Sequence, residues 1–463
     1  MTQRARAFAT VELIIGLLTL GTVVWARPRE GGPAVFLSIV ERVAAGLVPY
    51  RDLALEYPPL ALLPIMVPRV LAGNSINGYE ILFTAMAVCL VMVTAAAVAW
   101  LAAHGWSATS RREALLMFLG LALAAMPALV WRFDIFPALL TALALMAVAA
   151  GRPAWAGLAL GLGTAAKLYP AFLIPVLLAY YVLGRRPRGA ALLLFGSMVT
   201  VGAICAGLVL LGGPDAFTFL TYQGDRGIEI GSVLGGIFLL AENMFGIEAA
   251  VSFGFGSYEV SSSLGATLAL PNVLAQVVLG IGLMTGTGVS LVRDRRRLGF
   301  IQPTTLLTYL LATLVLVMLA NKVLSPQYIA WLLPLGALLS WRQSLLLVAI
   351  FALTTFVYPL SFALLRAAEP LAVAALNGRN LLLLVLFIWL VVPRRDGSTG
   401  RVSQGPAATG RVGESEIAQD PWPLHEPGDL STRAIVSLTF HEALVEPVSL
   451  GDRSWVREPT SRS

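Results

Sequence analysis

The stretch ILFTAMAVCLVMVTAAAVAWLAA, residues 81–103, carries no charged side chain. A helix of this length rises about 34 Å, enough to cross the hydrocarbon core of a bilayer, which is about 30 Å thick. Similar apolar runs, separated by short loops that contain arginine, recur from the N-terminus to Val392. The whole chain is 57% hydrophobic and 13% charged, about half the charged fraction of a soluble domain. The sequence therefore predicts an all-α, polytopic membrane protein.

Apolar windows bounded by Pro, Gly and charged residues predict about 12 transmembrane helices. They cover residues 8–25, 78–103, 114–131, 134–150, 153–166, 168–183, 189–212, 272–292, 304–320, 327–341, 344–363 and 377–393. The first run precedes only a poor cleavage signal, Val24-Trp25-Ala26, so we interpret it as a retained anchor instead of a cleaved signal peptide.

Two segments need separate interpretation. The run at 60–71 is short and rich in proline, which predicts a re-entrant or interfacial segment, and the region 153–183 is predicted to break around Lys167 to Pro170. With these assignments the loop arginines fall on one side, which the positive-inside rule makes the cytoplasm. They are Arg4, Arg6, Arg111, Arg112, Arg152, Arg185, Arg186, Arg188, Arg293, Arg295, Arg296, Arg297, Arg342, Arg394 and Arg395. We therefore predict a multi-pass protein of the cell membrane with both termini in the cytoplasm.

The predicted domain organisation is a transmembrane domain at 1–393 followed by a disordered cytoplasmic tail at 394–463. The transmembrane part carries a net charge of +8 and the tail −2, and the basic excess reports topology and not binding to nucleic acid. Two long outer loops are predicted at about 26–77 and 213–270. An amphipathic helix at 34–47 in the first loop is expected to lie in the membrane interface, with Phe36, Ile39, Val40, Val43 and Leu47 on one face.

Polar residues from distant parts of the sequence fall near the outer ends of the predicted helices. They are Arg51, Asp52, Glu56, Arg132, Asp134, Lys167, Asp225, Arg226, Asn321, Lys322, Ser325 and Gln327. Cations at these positions oppose the positive-inside bias and cost free energy where they enter the hydrocarbon, so they are candidates for binding an anion. The chain has 30 Arg but only two Lys, Lys167 and Lys322, and a compact ammonium favours point-charge contact with phosphate.

Each of these residues also has a purely structural interpretation. Arg132 and Asp134 fit a local salt bridge with a helix-capping carboxylate, and Lys167 and Lys322 fit side chains that snorkel to lipid headgroups. Asp52 fits a cap on the following segment. Asp225 and Arg226 fit an exposed loop pair. Cys89 and Cys205 are given no role, and the three histidines cannot form a metal cluster with them.

Five motifs on one predicted membrane face resemble the polytopic GT-C glycosyltransferases of family 87. They are PYRDLALEYPPL at 49–60, RFD at 132–134 with Pro137, the glycine-rich run 157–163 leading into KLYP at 167–170, DRGIEI at 225–230 with Ser232, and SPQY at 325–328 with Trp331 and Pro334. The resemblance extends over residues 8–393. It implies an inverting enzyme that moves a sugar, typically mannose, from a polyprenyl-phosphate donor to a glycolipid, glycan or glycoprotein outside the cytoplasm.

One departure from the family pattern concerns the catalytic base. Similar proteins carry an aspartate just before the amphipathic helix, where this chain has Gly32. An inverting transfer needs a carboxylate to take the acceptor's proton and cations to stabilise the leaving phosphate. We predict Asp52 as the base, with Glu56 and Glu30 as alternatives, or else a protein that has lost activity.

The remaining assignments follow from the same resemblance. Lys167, Lys322, Arg132 and Arg226 are predicted to bind the donor phosphate. The predicted substrate contacts are Tyr57, Asp134, Tyr169, Asp225, Ser325, Gln327 and Tyr328. No metal or cofactor is required, because cationic side chains can neutralise the leaving group. Two other functions stay open: a transporter or lipid flippase, and a non-catalytic relative that binds a lipid-linked sugar.

Overall fold

Long apolar helices alternate along the chain with short helices that begin or break at proline. The computed structural model describes residues 32–213 and 217–392, apart from the side chain of Gln223. The α-helices are α1 (Leu37–Ala44), α2 (Leu62–Ala72), α3 (Ile76–Ala103), α4 (Arg111–Ala124), α5 (Met126–Val130), α6 (Ile135–Ala149), α7 (Pro153–Ala166), α8 (Ile174–Leu183), α9 (Pro187–Gly212), α10 (Thr218–Asp225), α11 (Val233–Phe245), α12 (Leu264–Leu298), α13 (Pro303–Ala320), α14 (Ile329–Gly336), α15 (Trp341–Thr355), α16 (Phe362–Arg366) and α17 (Pro370–Val391). Short 3₁₀ helices cover Pro33–Phe36, Pro59–Ala61, Tyr169–Leu173 and Pro326–Tyr328, and a π turn covers Phe356–Leu360.

Six of the described helices are long and apolar enough to cross a membrane: α3, α9, α12, α13, α15 with its π turn, and α17. This confirms an all-α membrane protein. The predicted number of 12 spans is not confirmed, because several predicted spans form shorter helices. The prediction at 114–131 divides into α4 and α5, and the prediction at 327–341 is only the eight-residue α14. The predicted span at 8–25 and the predicted tail at 394–463 lie outside the described residues.

The predicted break near Lys167 is present. Helix α7 ends at Ala166, Lys167 is extended with φ −157° and ψ 136°, and a 3₁₀ helix starts at Tyr169. Pro170 explains the break, since proline lacks the N–H that would continue the helix. The proline-rich run at 60–71 likewise forms a 3₁₀ turn and the short helix α2.

The predicted amphipathic helix at 34–47 is shorter and differently placed than expected. It consists of a 3₁₀ turn and the eight residues of α1. Its predicted apolar face is correct, since Phe36 and Val40 are buried. These side chains pack against Ile65, Phe83 and Phe133, so protein and not the membrane interface covers this face.

The predicted loop at 213–270 is largely folded, which the sequence analysis did not anticipate. It contains α10, α11 and an antiparallel hairpin of β1 (Ala249–Gly254) and β2 (Ser257–Ser262). The hairpin packs on α11 through Val260, Phe238 and Leu239. The backbone amide of Gly227 donates to Glu259 Oε1 (2.8 Å), which joins the hairpin to the segment after α10.

Helices α7 and α9 cross in close contact through glycine. A Cβ added at Gly157 would overlap the carbonyl of Leu193, and one at Gly196 would overlap the carbonyl of Ala154. Ser197 Oγ donates to the carbonyl of Gly157 (3.1 Å) across the same crossing. Small residues allow this close approach. Within lipid, the van der Waals packing and hydrogen bonds that it permits drive helix association, because the hydrophobic effect does not act between helices there. The crossing fixes α7, whose end carries Lys167.

Candidate functional site

Helix breaks and loops from many parts of the chain enclose a cavity of about 570 Å³. Its wall includes the loop before α2, the breaks after α5 and α7, the segment after α10, the hairpin, the loop before α14, the π turn with α16, and Arg379 of α17. Charged side chains among the described lining residues are Glu56, Arg132, Lys167, Arg226, Glu229, Arg366 and Arg379. Five cations therefore face two carboxylates in a partly apolar space, and this arrangement attracts an anion.

Lys167 is held at the cavity wall by a carboxylate and three aromatic rings. Its Nζ lies 3.1 Å from Asp134 Oδ1 and 4.9 to 5.5 Å from the ring centres of Phe133, Tyr57 and Tyr328. Asp134 is almost completely buried, precedes α6 without capping it, and also accepts a hydrogen bond from Trp331 Nε1 (2.8 Å). The buried Asp134 thus orients the Lys167 ammonium and offsets its charge, whereas the sequence suggested a helix cap.

Three aromatic rings stack behind this ion pair. The Trp331 ring lies between Tyr169, with centroids 4.3 Å apart, and Tyr328, with centroids 3.9 Å apart. The Tyr169 hydroxyl is hydrogen-bonded to Thr141 Oγ1 (3.0 Å). Both faces of Trp331 are covered, so its role here is to fix the positions of Asp134, Tyr169 and Tyr328. Stacked pairs of this kind add specific geometry to ordinary burial.

Arg226 joins the first loop to the hairpin across the cavity. Its Nη1 lies 3.4 Å from Glu56 Oε2, and its Nη2 donates to Ser257 Oγ (2.8 Å). Arg226 is 7% exposed, and its Nε has no hydrogen-bond partner among the described residues. Glu56 is the better exposed partner, with 23% of its side chain accessible. The pair places a carboxylate and a cation side by side at the cavity surface.

Glu229 lies deeper in the same wall. Its Oε1 accepts a hydrogen bond from Ser325 Oγ (2.7 Å), and its Oε2 is buried without a partner among the described residues. Burial raises the pKa of Glu229, and the hydrogen bond from Ser325 and the charge of Arg226 oppose this shift. Glu229 is part of the motif at 225–230, and no role was predicted for it from the sequence.

Two further arginines occupy the wall near α15 and α16. Arg132 Nη2 donates to the Tyr358 hydroxyl (3.3 Å), and Arg366 Nη1 donates to the Tyr258 hydroxyl (2.6 Å). Arg366 also lies 4.9 Å from the centre of the Tyr258 ring. The rings of Tyr358 and Tyr258 both contact Phe362 edge-on. One aromatic cluster therefore supports both guanidinium groups.

Arg379 is a cation inside a membrane-spanning helix. It lies in α17, is 2% exposed, and donates from Nη2 to the carbonyl of Gly231 (2.6 Å). Arg379 was not predicted as a site residue, although it is an arginine within the apolar run 377–393. A charge at such a position is costly and usually functional, so this signal was available. Arg366 was missed because its predicted span, 344–363, stopped just short of it.

Of the predicted catalytic residues, only Glu56 lies at the cavity within the described part of the chain. Asp52 is absent from the cavity lining: it pairs with its neighbour Arg51 (2.9 Å) and accepts the Val48 N–H (2.8 Å). These bonds lower the pKa of Asp52 to about 2. Asp52 therefore stabilises a local turn, which gives it no contact with the cavity. Glu30 lies outside the described residues.

Three residues predicted to contact the substrate or the donor phosphate are also absent from the cavity lining: Asp134, which pairs with Lys167, Asp225 and Lys322. Asp225 is exposed at the end of α10. Lys322 Nζ donates to the carbonyls of Gly224 (2.7 Å) and Arg226 (2.5 Å). The Lys322 ammonium thus holds the segment that positions Arg226, and it is not part of the cavity lining. The structure brings the following predicted residues to the cavity: Glu56, Tyr57, Arg132, Lys167, Tyr169, Arg226, Ser325, Gln327 and Tyr328.

In the described residues, no group of three or more His, Cys, Asp or Glu side chains is arranged to hold a metal ion. The described lining residues supply carboxylates, guanidinium groups, one ammonium, phenols, aliphatic hydroxyls and side-chain amides.

Comparison with known proteins agrees with the motifs in the sequence. The profile of glycosyltransferase family 87 matches residues 55–320, more than half of the chain. Comparison with curated proteins finds no significant match. Among solved structures, the crystal structure of ArnT from Cupriavidus metallidurans bound to undecaprenyl phosphate is similar, with a TM-score of 0.46 and 14% identity, covering 84% of this chain and 78% of that one. Because the family profile matches more than half of its residues, this chain belongs to glycosyltransferase family 87 and is a membrane glycosyltransferase.

Proposed function

We propose that the protein transfers a sugar, mannose being typical of the family it resembles, from a polyprenyl-phosphate donor to a hydroxyl of a glycolipid or glycan. The observation that carries the proposal is the excess of cations at the cavity, where Arg132, Lys167, Arg226, Arg366 and Arg379 face Glu56 and Glu229. A polyprenyl phosphate supplies an anion, and its departure as phosphate develops further negative charge in the transition state.

The guanidinium groups are suited to the leaving phosphate. Cations that are already oriented stabilise developing charge without reorganising when the reaction occurs. Arg132 and Arg366 are fixed by phenol hydroxyls and aromatic rings, and Lys167 is fixed by Asp134. We assign the phosphate to this part of the wall, where the charge of Arg366 meets no carboxylate within ion-pair distance among the described residues.

Glu56 is the proposed catalytic base. In an inverting transfer the acceptor oxygen attacks the anomeric carbon while the bond to phosphate breaks, and a carboxylate takes the acceptor's proton. Glu56 is accessible in the cavity, and its Oε2 lies 3.4 Å from Arg226 Nη1. Asp52, the first choice from sequence, is 30% exposed but pairs with Arg51 outside the cavity.

The orientation proposed from the loop arginines fits this assignment. The cavity then opens at the non-cytoplasmic face of the cell membrane, both termini lie in the cytoplasm, and the segment 394–463 is a cytoplasmic tail. A polyprenyl chain would remain in the lipid while its phosphate enters the cavity. The apolar lining side chains Val35, Phe172 and Val317 offer contacts for the first isoprene units.

The test is a transfer assay with purified protein in lipid vesicles. Radiolabelled polyprenyl-phosphate mannose is supplied together with membrane lipids and glycans as acceptors, and the products are separated by chromatography. We expect label in a new glycolipid or glycan with wild type and loss of that product with Glu56→Gln. Bound but untransferred donor would identify a non-catalytic relative, and unchanged donor moved across the vesicle membrane would identify a flippase.

A further inference from the structure

The backbone at Glu229 is fixed from three directions. Its N–H donates to the carbonyl of Lys322 (2.9 Å), and its carbonyl accepts the N–H of Ser232 (2.9 Å). The next residue, Ile230, donates to the carbonyl of Tyr258 on β2 (2.9 Å). Arg379 also holds this segment through the carbonyl of Gly231 (2.6 Å). A carboxylate on such a backbone has little freedom to reach another partner.

The two oxygens of Glu229 differ in their surroundings. Oε1 is satisfied by Ser325 Oγ (2.7 Å), whereas Oε2 is buried without a hydrogen-bond partner in the described part of the chain. Glu229 is 7% exposed and lines the cavity. An unpaired buried acceptor is costly, and nearly all such groups in proteins have a partner. A ligand group that donates a hydrogen bond would satisfy Oε2.

The chemistry of the two substrates decides which group this is. A phosphate at the neighbouring guanidinium groups offers only acceptor oxygens, so it would be repelled by a carboxylate. A sugar presents hydroxyl groups, which are hydrogen-bond donors, and the anomeric carbon of the donor's sugar is bonded directly to a phosphate oxygen. Burial raises the pKa of Glu229, and the charge of Arg226, which lines the same cavity, opposes this shift.

We propose that Glu229 Oε2 accepts a hydrogen bond from a hydroxyl of the sugar being transferred, and that Glu229 is therefore a specificity-determining residue of the donor site. This inference rests on the proposed transfer from a polyprenyl-phosphate sugar. Ser325 is its positioning residue, because its hydroxyl holds Oε1 and leaves Oε2 as the acceptor without a partner among the described residues. The expected donor is a hexose with a free hydroxyl at the position that meets Oε2.

The experiment compares donors that lack one hydroxyl each. Polyprenyl-phosphate mannose and its 2-, 3-, 4- and 6-deoxy analogues are assayed for kcat/KM with wild type, Glu229→Gln and Glu242→Gln. Glu242 is the matched control, because it also has a buried, unpaired Oε2 but does not line the cavity. Sugar-free polyprenyl phosphate serves as a binding probe that reports whether each variant keeps its phosphate site.

Wild type and Glu242→Gln should transfer one deoxy analogue about 10- to 100-fold less efficiently than the intact donor, the usual effect of losing a hydrogen bond to a charged group. Glu229→Gln should lose efficiency with the intact donor by a similar factor. It should also discriminate less than about 3-fold against that analogue, while its affinity for polyprenyl phosphate stays unchanged.

Two results would overturn the proposal. One is wild-type kcat/KM that is equal for every deoxy analogue, which needs no variant to fold. The other is a Glu229→Gln protein that keeps the wild-type discrimination while turnover falls equally for all donors, since that pattern identifies a base or a structural residue. Absence of wild-type transfer from every donor would instead refute the proposed function itself.

Discussion

At the scale of single residues, the immediate neighbours of a carboxylate decide what it can do. Asp52 and Glu56 are four positions apart in one loop, and both are acidic in a motif that the sequence associates with catalysis. Asp52 is bound by Arg51 and the Val48 amide in a local turn, while Glu56 faces the cavity beside Arg226. The choice between them depends on a turn whose direction the sequence does not reveal.

Exchange of these two carboxylates for amides separates their roles. Glu56→Gln should lower kcat by about 10²- to 10⁴-fold, the usual contribution of a general base, with little change in affinity for polyprenyl phosphate. Asp52→Asn should keep turnover within a few-fold of wild type. The measurement is kcat in the vesicle transfer assay, with Asp52→Asn as the matched control. Full loss of turnover in Asp52→Asn alone would return the base to Asp52.

The acidity of Asp52 gives a second expectation at this scale. Its pKa is lowered to about 2 in the folded protein, so its ion pair is complete above the pKa of an unfolded aspartate, near 3.9. Its stabilising effect is lost as the pH falls from about 4 to 2. Because the pair is exposed, the effect on the unfolding midpoint should be small and should disappear in high salt. A large change in stability near neutral pH in Asp52→Asn would contradict this.

Lys322 supports the cavity wall through hydrogen bonds but does not line the cavity. Its Nζ is bound to the carbonyls of Gly224 and Arg226, so Lys322→Ala should loosen the segment that carries Arg226. We expect a loss of about 1–3 kcal/mol in the free energy of unfolding, together with weaker transfer. For comparison, Arg366→Ala should weaken the binding of polyprenyl phosphate, while the free energy of unfolding stays nearly unchanged. Thermal unfolding in detergent and a phosphate-binding titration check both, and the opposite pattern would make Lys322 the phosphate ligand.

At the scale of secondary-structure elements, the sequence predicted the helix break at Lys167 because Pro170 cannot continue a helix. It also identified the apolar face of α1 from its periodicity. It did not predict α10, α11 or the hairpin, since short elements rich in Gly and Ser carry little periodicity. The ion pair between Lys167 and Asp134 was not predicted either, because the two residues are 33 positions apart and only the packing of α6 on α7 brings them together.

The crossing of α7 and α9 leads to a stability prediction. Gly196→Ala places a Cβ on the carbonyl of Ala154, so the helices must separate, at a cost of about 1–3 kcal/mol or more. Gly202→Ala on the same helix is the control, because a Cβ there meets no atom within 4 Å, and alanine is the better helix former. The unfolding midpoint in detergent should fall for Gly196→Ala and stay level or rise for Gly202→Ala. Equal midpoints would show that the two helices do not cross in close contact.

At the scale of the whole molecule, composition and apolar runs were enough to predict a membrane protein, and the family motifs were enough to predict a cavity lined by cations. The number of spans could not be read from hydropathy, because helices such as α6 and α7 are apolar yet too short to cross alone. Glu229, Arg366 and Arg379 joined the site only in three dimensions. Their positions depend on contacts between residues 96 to 148 positions apart in the sequence.

The orientation in the membrane can be tested on intact cells. In a protein whose Cys89 and Cys205 are replaced by alanine, Asp225→Cys near the cavity should react with a membrane-impermeant maleimide added outside. Arg152→Cys, in the loop between α6 and α7, should react only after the membrane is permeabilised. Both positions are exposed, so accessibility within the protein does not limit labelling. Labelling in the reverse order would place the cavity on the cytoplasmic side.

The β1–β2 hairpin forms one wall of the cavity, and its two strands pair with each other. Its six residue pairs, from Ala249↔Ser262 to Gly254↔Ser257, join residues that are close in sequence. Ser257 and Tyr258 accept hydrogen bonds from Arg226 and Arg366. A unit of this kind can change its turn residues without disturbing any membrane helix. Variation confined to these fourteen residues would therefore reshape one wall of the cavity while the membrane helices keep their packing, much as antibodies vary a loop on a constant framework.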